Sequence, residues 1–267
     1  MTSPTNPDIF SSLSLTQGTC CLIASLDSIE SDPRPRRLQE FLQARQLTVE
    51  SISPAKTETN AQNLRLSRLA RKVCRRLGIL TLSLAQRVAI IPTLRIKLFD
   101  RQWGGTELIQ HLEGSLFDVV FVESFQLLPA IRTHFPEAKL ILDAREYYPL
   151  QREDWRFRAL EKSNREFILH RYLPQCDYVI TVSPGLRRRY ESEYPVRCEL
   201  LRSTPWYVSH TVNSVDSSRI RLVHHGVANA NRDLGRLIET VPLLDQRYSL
   251  HLFLTGNPTE IQRLKRL

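Results

Sequence analysis

The stretch ILDAREYYPL, residues 141–150, places three charges and two tyrosines where an apolar run ends. Asp143 closes the run, and Arg145, Glu146 and Tyr147 follow it. In an open parallel sheet, ligands bind outside the carboxyl ends of the strands, because helix N-termini and loop amides converge there. These residues are therefore candidates for catalytic or binding chemistry. The alternative is an ion-pair cluster that orders the following loop.

Polar residues follow three other apolar runs in the same way. They are Ser25 and Asp27 after the first run, Glu123 and Ser124 after FDVVFV, and Ser183 with Gly185 after DYVITV. Their position alone makes them candidates for ligand binding. Ser183 also fits the role of a helix N-cap, since Pro184 suits the first position of a helix. A cap and a ligand-facing amide are compatible.

A different pattern, HHGVANANRDLGRLIE at residues 224–239, joins an apolar run to a helix-like segment. Gly226 permits a tight turn, and Arg232 with the N-terminus of the following helix predicts an anion site suited to a diphosphate. The pattern is not the GxGxxG of dinucleotide enzymes, which disfavours an oxidoreductase. His224 and His225 are not expected to bind a metal together, because adjacent strand residues point to opposite faces.

Short apolar or β-branched runs alternate with helix-like segments along most of the chain. The predicted strands are 20–26, 47–53, 117–124, 138–144, 177–183, 197–203, 219–226 and 248–256. The predicted helices include 35–45, 106–112, 155–173 and 184–193. This alternation predicts βαβ units and an α/β fold with a doubly wound parallel sheet.

A polar stretch without clear period, residues 203–218, interrupts this rhythm before it restarts. We therefore predict a flexible N-terminal tail at 1–19, a Rossmann-like domain at 20–210 and the start of a second Rossmann-like domain at 211–267. Two βα units bury little apolar surface, and a two-stranded sheet is marginal in water. The second domain is therefore expected to be incomplete.

The composition, 42% hydrophobic and 24% charged, is that of a globular protein. The N-terminus lacks the basic and apolar regions of a secretory signal, and no uncharged apolar run reaches the roughly 18 residues of a membrane span. These features favour a cytoplasmic protein. The five cysteines are odd in number and show no CxxC spacing, so neither a disulfide framework nor a zinc site is predicted.

The net charge of +9 is concentrated in one segment. No acidic residue lies between Thr59 and Phe99, and apolar residues within 64–77 recur at helical spacing. The basic residues there are Arg65, Arg68, Arg71, Lys72, Arg75, Arg76, Arg87, Arg95 and Lys97. The helix is either a solvated surface or a surface for anionic lipid headgroups. Nucleic acid is disfavoured, because the helix has no aromatic residues or base-reading motif.

Four stretches, taken in order, resemble the family 4 glycosyltransferases of the GT-B fold. They are SLDSIESDPRPRRLQEFLQARQLTVESIS, LILDAREYYP, CDYVITVSPGLRRRYESEY and LVHHGVANANRDLGRLIE, and the resemblance runs from about residue 20 to the C-terminus. It implies two Rossmann-like domains that face each other across a cleft, with the acceptor held mainly by the first and a nucleotide-sugar donor by the second. It also implies transfer with retention of configuration and without a metal or other cofactor.

The resemblance, together with the positions of the strand ends, assigns expected roles to individual residues. The loop with Asp27, Asp32 and Arg34 would border the cleft, and Arg232 matches a basic residue aimed at the donor diphosphate. Catalytic roles are expected for Asp143, Arg145 and Glu146. Substrate binding is expected for Asp27, Arg34, Glu123, Ser124, Tyr147 and Ser183, and diphosphate binding for Gly226 and Arg232.

Three departures from the family pattern bear on activity. DARE replaces the frequent DAHE, so that Arg145 stands in place of a histidine, and arginine is not a base at neutral pH. The glycine-rich first loop and the GR pair after the second domain's first strand, which are common in the family, are absent, since the first loop is LDSIESD and Val227 follows Gly226. The paired glutamates that hold the donor's ribose and sugar would lie beyond Leu267.

Two hypotheses about function follow from these features. The first is a glycosyltransferase, or the N-terminal portion of one, that acts in cell-surface polysaccharide or glycolipid biosynthesis on the inner face of the plasma membrane. Its partners would be a nucleotide-sugar and a glycan or glycolipid acceptor, and a separate chain would complete the second domain. The second is a catalytically inactive binding or scaffold remnant of a split glycosyltransferase.

Overall fold

The computed structural model describes residues 15–54, 81–86, 89, 91–151, 155–205, 207–211, 214–229 and 232–267. Most of the predicted N-terminal tail and all of the basic segment 64–77 lie outside these residues. The chain divides into two compact units, unit 1 at Met1–Thr204 and unit 2 at Pro205–Leu267. Within the described residues, no helix has the length and apolar character needed to cross a bilayer.

Unit 1 contains a six-stranded parallel sheet, which confirms the predicted α/β class with its parallel sheet. The strand order is β2-β1-β3-β4-β5-β6. The strands are β1 (Cys20–Ala24), β2 (Thr48–Ile52), β3 (Val119–Val122), β4 (Lys139–Ala144), β5 (Tyr178–Thr181) and β6 (Cys198–Leu200). Each lies within a predicted strand.

Seven α-helices of unit 1 have defined bounds among the described residues, and residues 81–86 are helical as well. They are α1 (Pro33–Ala44), α2 (Pro92–Trp103), α3 (Gly105–Ile109), α4 (Leu128–His134), α5 (Trp155–Leu160), α6 (Lys162–Tyr172) and α7 (Pro184–Glu193). The single helix predicted at 155–173 is therefore two helices. Asp32 caps α1 by accepting a hydrogen bond from the Arg34 amide at 3.1 Å.

Both faces of the sheet are buried, since its central strands are continuous apolar runs rather than alternating ones. Leu22, Val120 and Leu142 lie in the larger core cluster on one face, together with side chains from several helices. Cys21 and Phe121 belong to a second cluster on the other face, which α1 covers. The strand ends are thus held rigidly between two helical layers.

The strand order predicts a ligand crevice at the carboxyl ends of β1 and β3. The chain passes from β1 to its neighbour β2 and then returns to place β3 on the other side of β1. The connections therefore diverge between β1 and β3. A divergence of this kind opens a crevice at the carboxyl edge of a doubly wound sheet, where ligands bind.

Unit 2 follows the predicted order of strand, helix, strand and helix. Its elements are β7 (Ile220–Ala228), α8 (Leu234–Thr240), β8 (Tyr248–Gly256) and α9 (Pro258–Leu264). β7 and β8 pair in parallel over nine positions. The buried core consists of Ala228, Leu234 and Leu264, with partly buried neighbours.

Candidate functional site at the carboxyl edge of the larger sheet

Five charged side chains from two strand ends and the start of helix α1 meet at the carboxyl edge of the unit 1 sheet. This charge cluster consists of Asp32, Arg34, Glu123, Asp143 and Arg145. Arg34 donates two hydrogen bonds to Asp143, from Nε to Oδ2 at 2.5 Å and from Nη2 to Oδ1 at 3.0 Å. Both side chains are 9% exposed. Arg34 therefore holds Asp143 as a buried, doubly bonded carboxylate.

Arg145 connects the buried part of the charge cluster to the loop that precedes α1. Its Nη1 lies 2.6 Å from Asp32 Oδ2, and its Nη2 lies 3.5 Å from Glu123 Oε2. The sequence allowed either a chemical role or an ion-pair role for the DARE charges. The geometry shows ion pairs for Asp143 and Arg145, and it places Arg145 at the cavity described below as well.

Glu123 is the unusual member of the charge cluster. It follows β3, its side chain is fully buried, and no described residue gives its carboxyl group a hydrogen bond. Burial raises the pKa of Glu123 to about 8, and the charge of Asp143 adds to this shift while Arg145 opposes it. Glu123 is therefore mainly protonated at neutral pH.

A cavity of about 980 Å³ opens at this edge, and we call it the edge cavity. Five of the predicted site residues line it: Asp27, Glu123, Ser124, Arg145 and Glu146. The Ser124 hydroxyl accepts a hydrogen bond from the Leu26 amide at 3.0 Å, which ties the ends of β1 and β3 together. The edge cavity thus occupies the crevice that the strand order predicts.

Other predicted site residues of unit 1 have different surroundings. Arg34 and Asp143 form the buried pair of the charge cluster. The Tyr147 hydroxyl donates a hydrogen bond to Glu193 in α7. Ser183 accepts a hydrogen bond from the Leu186 amide at 3.3 Å, which confirms its role as an N-cap.

Two tyrosine hydroxyls fix the loop that follows β4. The buried Tyr190 in α7 donates a hydrogen bond to the Glu146 carbonyl at 2.8 Å. Tyr148 donates a hydrogen bond to the Asp143 carbonyl at 3.2 Å. The backbone that carries Arg145 and Glu146 is therefore held from both ends.

Arg165, which was not among the predicted site residues, also lines the edge cavity. This residue of α6 is 4% exposed; its guanidinium donates to Gln151 Oε1 at 2.6 Å and pairs with Glu161 at 2.9 Å. The guanidinium lies 4.8 Å from the centre of the Phe157 ring. A signal was present in the sequence: Arg165 shares helical spacing with Ile168 and Leu169, which places it on the inward face of α6.

Other missed residues of the edge cavity come from helices or loops with no strand-end signal. They include Gln102 and Trp103 at the end of α2, and Tyr148 and Gln151 after β4. The Trp103 indole N–H is buried without an acceptor among the described residues. Helix α2 was not predicted, so its contribution to the cavity could not be anticipated.

Gly226 and Arg232 of unit 2 lie together, as the predicted diphosphate site requires. Gly226 has φ of 145°, and a Cβ atom there would lie 3.7 Å from Arg232 Nη1. The Arg232 amide donates to the Asn229 carbonyl at 3.0 Å. Asp233 occupies the N-cap of α8 with φ of 47° and pairs with Arg236, so the helix start also carries a negative charge. The cationic feature here is the exposed Arg232 side chain.

No protein-family model matches the chain, and a comparison with curated proteins gave no match. No group of His, Cys, Asp or Glu side chains within the described ranges has the geometry of a metal site. His224 is half-buried and His225 is exposed, consistent with opposite faces of β7. The residues of the edge cavity therefore define the candidate site by their own chemistry.

Proposed function

We propose that the chain is a retaining, nucleotide-sugar-dependent glycosyltransferase of the GT-B type, or the N-terminal portion of one. The observation that carries this proposal is the edge cavity at the point where the connections of the parallel sheet diverge. Its wall combines carboxylates, amides and arginines with the ring of Trp103. A mixed polar and aromatic wall suits a ligand with hydroxyl groups and apolar C–H faces.

In this proposal, unit 1 holds the acceptor and unit 2 holds the donor diphosphate. As the bond to the departing diphosphate breaks, negative charge grows on the phosphate oxygens, and a fixed cation stabilises it most in the transition state. Arg232 beside Gly226 supplies that cation. The departing phosphate accepts the proton of the acceptor hydroxyl, so the reaction needs no protein base.

The charge cluster has a positioning role in this scheme. Asp143 is bound by Arg34, and Arg145 is bound by Asp32, so neither is available as a mobile acid or base. Their mutual bonds instead fix the loop that carries Glu146 at the edge cavity. We propose that Glu146, which is exposed there, faces the acceptor and the transferred sugar.

A donor assay tests the proposed function. The full chain is incubated with UDP-glucose, UDP-N-acetylglucosamine or GDP-mannose, and release of the nucleoside diphosphate is measured. We expect release with at least one donor and a loss of about 100-fold in Arg232→Ala. Arg266→Ala removes another exposed arginine of unit 2 and serves as the matched control. Equal rates in the two variants, or no release with any donor, would contradict the proposal.

The second candidate is a binding or scaffold protein without catalysis. Two features favour this candidate. The charges of the cluster pair with one another, and Arg145 stands where the resembled family has a titratable histidine. This candidate predicts that a nucleotide-sugar raises the melting temperature but releases no nucleoside diphosphate.

We propose that the protein acts in cell-surface polysaccharide or glycolipid biosynthesis, at the cytoplasmic face of the membrane. The support is the basic amphipathic pattern at 64–77, which lies outside the described residues. The test is sedimentation with vesicles that contain anionic lipid. Charge reversal at Arg68, Arg71, Lys72 and Arg75 should abolish sedimentation, and unchanged sedimentation would rule out this role for the segment.

A further inference from the structure

Glu123 has a carboxyl group that forms no hydrogen bond with any residue in the described part of the chain. Its side chain has no exposed surface, lines the edge cavity and receives no hydrogen bond from any described residue at either carboxyl oxygen. Arg145 Nη2 lies 3.5 Å from Glu123 Oε2, and Arg145 already binds Asp32 at 2.6 Å. A buried polar group in this state is costly unless a ligand or water satisfies it.

The charge balance of the cluster shows which form of Glu123 the site holds. Arg34 is neutralised by its close pair with Asp143, and Arg145 is neutralised by its close pair with Asp32. Ionised Glu123 would add an uncompensated negative charge in a buried place, so the neutral acid is favoured. The pKa of about 8, raised by burial and by Asp143 against the opposing effect of Arg145 and Arg34, agrees with this balance.

A neutral carboxyl group has one O–H donor and one C=O acceptor. A ligand hydroxyl is the simplest group that satisfies both at once, because it accepts one hydrogen bond and donates another. Trp103, from α2 on a different part of the cavity wall, adds an indole N–H that also lacks an acceptor among the described residues. Two buried polar groups without hydrogen-bond partners among the described residues therefore belong to residues that line the same cavity.

The remaining charges of the wall argue against an anionic ligand. Among the described residues of the wall, Asp27, Glu146 and Glu161 contribute carboxylates, and the two arginines are already bound, Arg145 by Asp32 and Arg165 by Glu161. With Glu123 neutral, these described residues carry a small net negative charge. An anion would be repelled, while a neutral polyol would meet donors and acceptors.

We infer that the edge cavity binds a neutral, hydroxyl-bearing group and that Glu123, in its protonated form, recognises one of the ligand's hydroxyls. The identification of this group as the sugar part of an acceptor rests on the proposed function. Anionic sugars would then be excluded from this site.

Saturation-transfer NMR of the full chain, without nucleotide, tests the inference. The probes are the methyl glycosides of glucose, galactose, mannose and N-acetylglucosamine, with glucuronate as the charged counterpart. We expect at least one neutral glycoside to bind and glucuronate to bind about tenfold more weakly. Absence of transfer to all four neutral glycosides, or preference for glucuronate, would overturn the inference.

Variants at Glu123 separate recognition from folding. Glu123→Gln keeps one donor and one acceptor and should retain binding, whereas Glu123→Met keeps the length without either and should weaken it about tenfold. Glu113→Gln alters an exposed glutamate outside the cavity wall and should bind like the wild type. Equal affinity in Glu123→Met and the wild type would refute the role of Glu123.

The donor assay gives an independent result. Glycoside binding that depends on Glu123, without nucleoside diphosphate release, would remove the glycosyltransferase and keep the binding site. Nucleoside diphosphate release, combined with glycoside binding that does not depend on Glu123, would keep the glycosyltransferase and remove the role of Glu123.

Discussion

The six-stranded sheet of unit 1 and the two-stranded sheet of unit 2 are both parallel, but they are buried differently. All four residues of β3 are buried, and so are five of the six in β4. Along β7 and β8, half-buried and exposed residues alternate. On the exposed face of unit 2, Val223 is 62% and Phe253 is 64% accessible.

This difference decides which kind of site each unit can support. Helices cover both faces of the larger sheet, so its edge can hold buried charges in fixed positions and shift the pKa of Glu123. Unit 2 has a small core, and its ion pairs, such as Arg247–Asp245, lie at the surface. Recognition that depends on desolvated groups therefore belongs to unit 1, and unit 2 offers an exposed cation in Arg232.

The largest effect is expected when the buried pair of the charge cluster is broken. Arg34→Met leaves the Asp143 carboxylate buried without its two hydrogen bonds, which should lower the free energy of unfolding by about 3–5 kcal/mol. Urea denaturation followed by circular dichroism measures this loss. The matched change in unit 2, Asp245→Asn, breaks an exposed pair and should have no measurable effect. Similar losses of unfolding free energy in both variants would show that the buried pair of unit 1 stabilises the fold no more than the exposed pair of unit 2.

The next effect is a pH dependence of stability that Glu123 creates. The folded state holds the proton of Glu123 up to a pKa of about 8, above the ordinary glutamate pKa of 4.5, so its contribution to stability is complete at low pH and is lost as the pH rises through 8. Between about pH 5 and pH 8, the wild type should lose on the order of 2–4 kcal/mol relative to Glu123→Gln, which cannot ionise.

Urea denaturation across this pH range measures the difference. The exposed Glu113→Gln control should track the wild type at every pH. A constant difference between the wild type and Glu123→Gln would show that Glu123 does not hold an extra proton in the folded state.

A smaller effect is expected for the loop that carries Glu146. Tyr190→Phe removes the hydroxyl that donates to the Glu146 carbonyl at 2.8 Å, which should cost about 1–2 kcal/mol. Amide hydrogen exchange should rise at 145–150 and stay unchanged along β3. Tyr207→Phe alters a tyrosine that is 91% exposed and serves as the control. Unchanged exchange at 145–150 would remove Tyr190 as a positioning residue.

The smallest effect is expected on the open face of unit 2. Phe253→Ser removes an aromatic ring that is largely exposed, so the free energy of unfolding should change by less than about 0.5 kcal/mol. Phe121→Ser, in the buried strand β3, should by contrast cost more than about 3 kcal/mol. A large loss in Phe253→Ser would mean that this face is covered in solution.

The strands were predictable because each is a short apolar run between polar residues, and parallel pairing follows from their alternation with helices. Helices α2 and α4 were missed. α4 is short and follows a buried turn, and the segment of α2 was taken only as part of a basic region. The split between α5 and α6 was equally invisible, because the sequence there continues a helical pattern.

The candidate site was predictable only in its location. Polar residues at strand ends indicated Asp27, Glu123, Ser124, Arg145 and Glu146, and all five line the edge cavity. The pairing of Arg34 with Asp143 joins residues 109 positions apart, and it depends on how α1 lies over the sheet. The burial of Glu123 depends in the same way on its neighbours in space. Contacts that depend on tertiary packing cannot be predicted from a local sequence pattern.

Infrared difference spectroscopy of the full chain, comparing the wild type with Glu123→Gln, tests whether Glu123 is protonated at neutral pH in its place beside the edge cavity. The wild type should show a carboxylic acid C=O band at about pH 6 that disappears by about pH 10, and Glu123→Gln should lack it throughout. Identical spectra for the two proteins would show that Glu123 is not protonated at neutral pH.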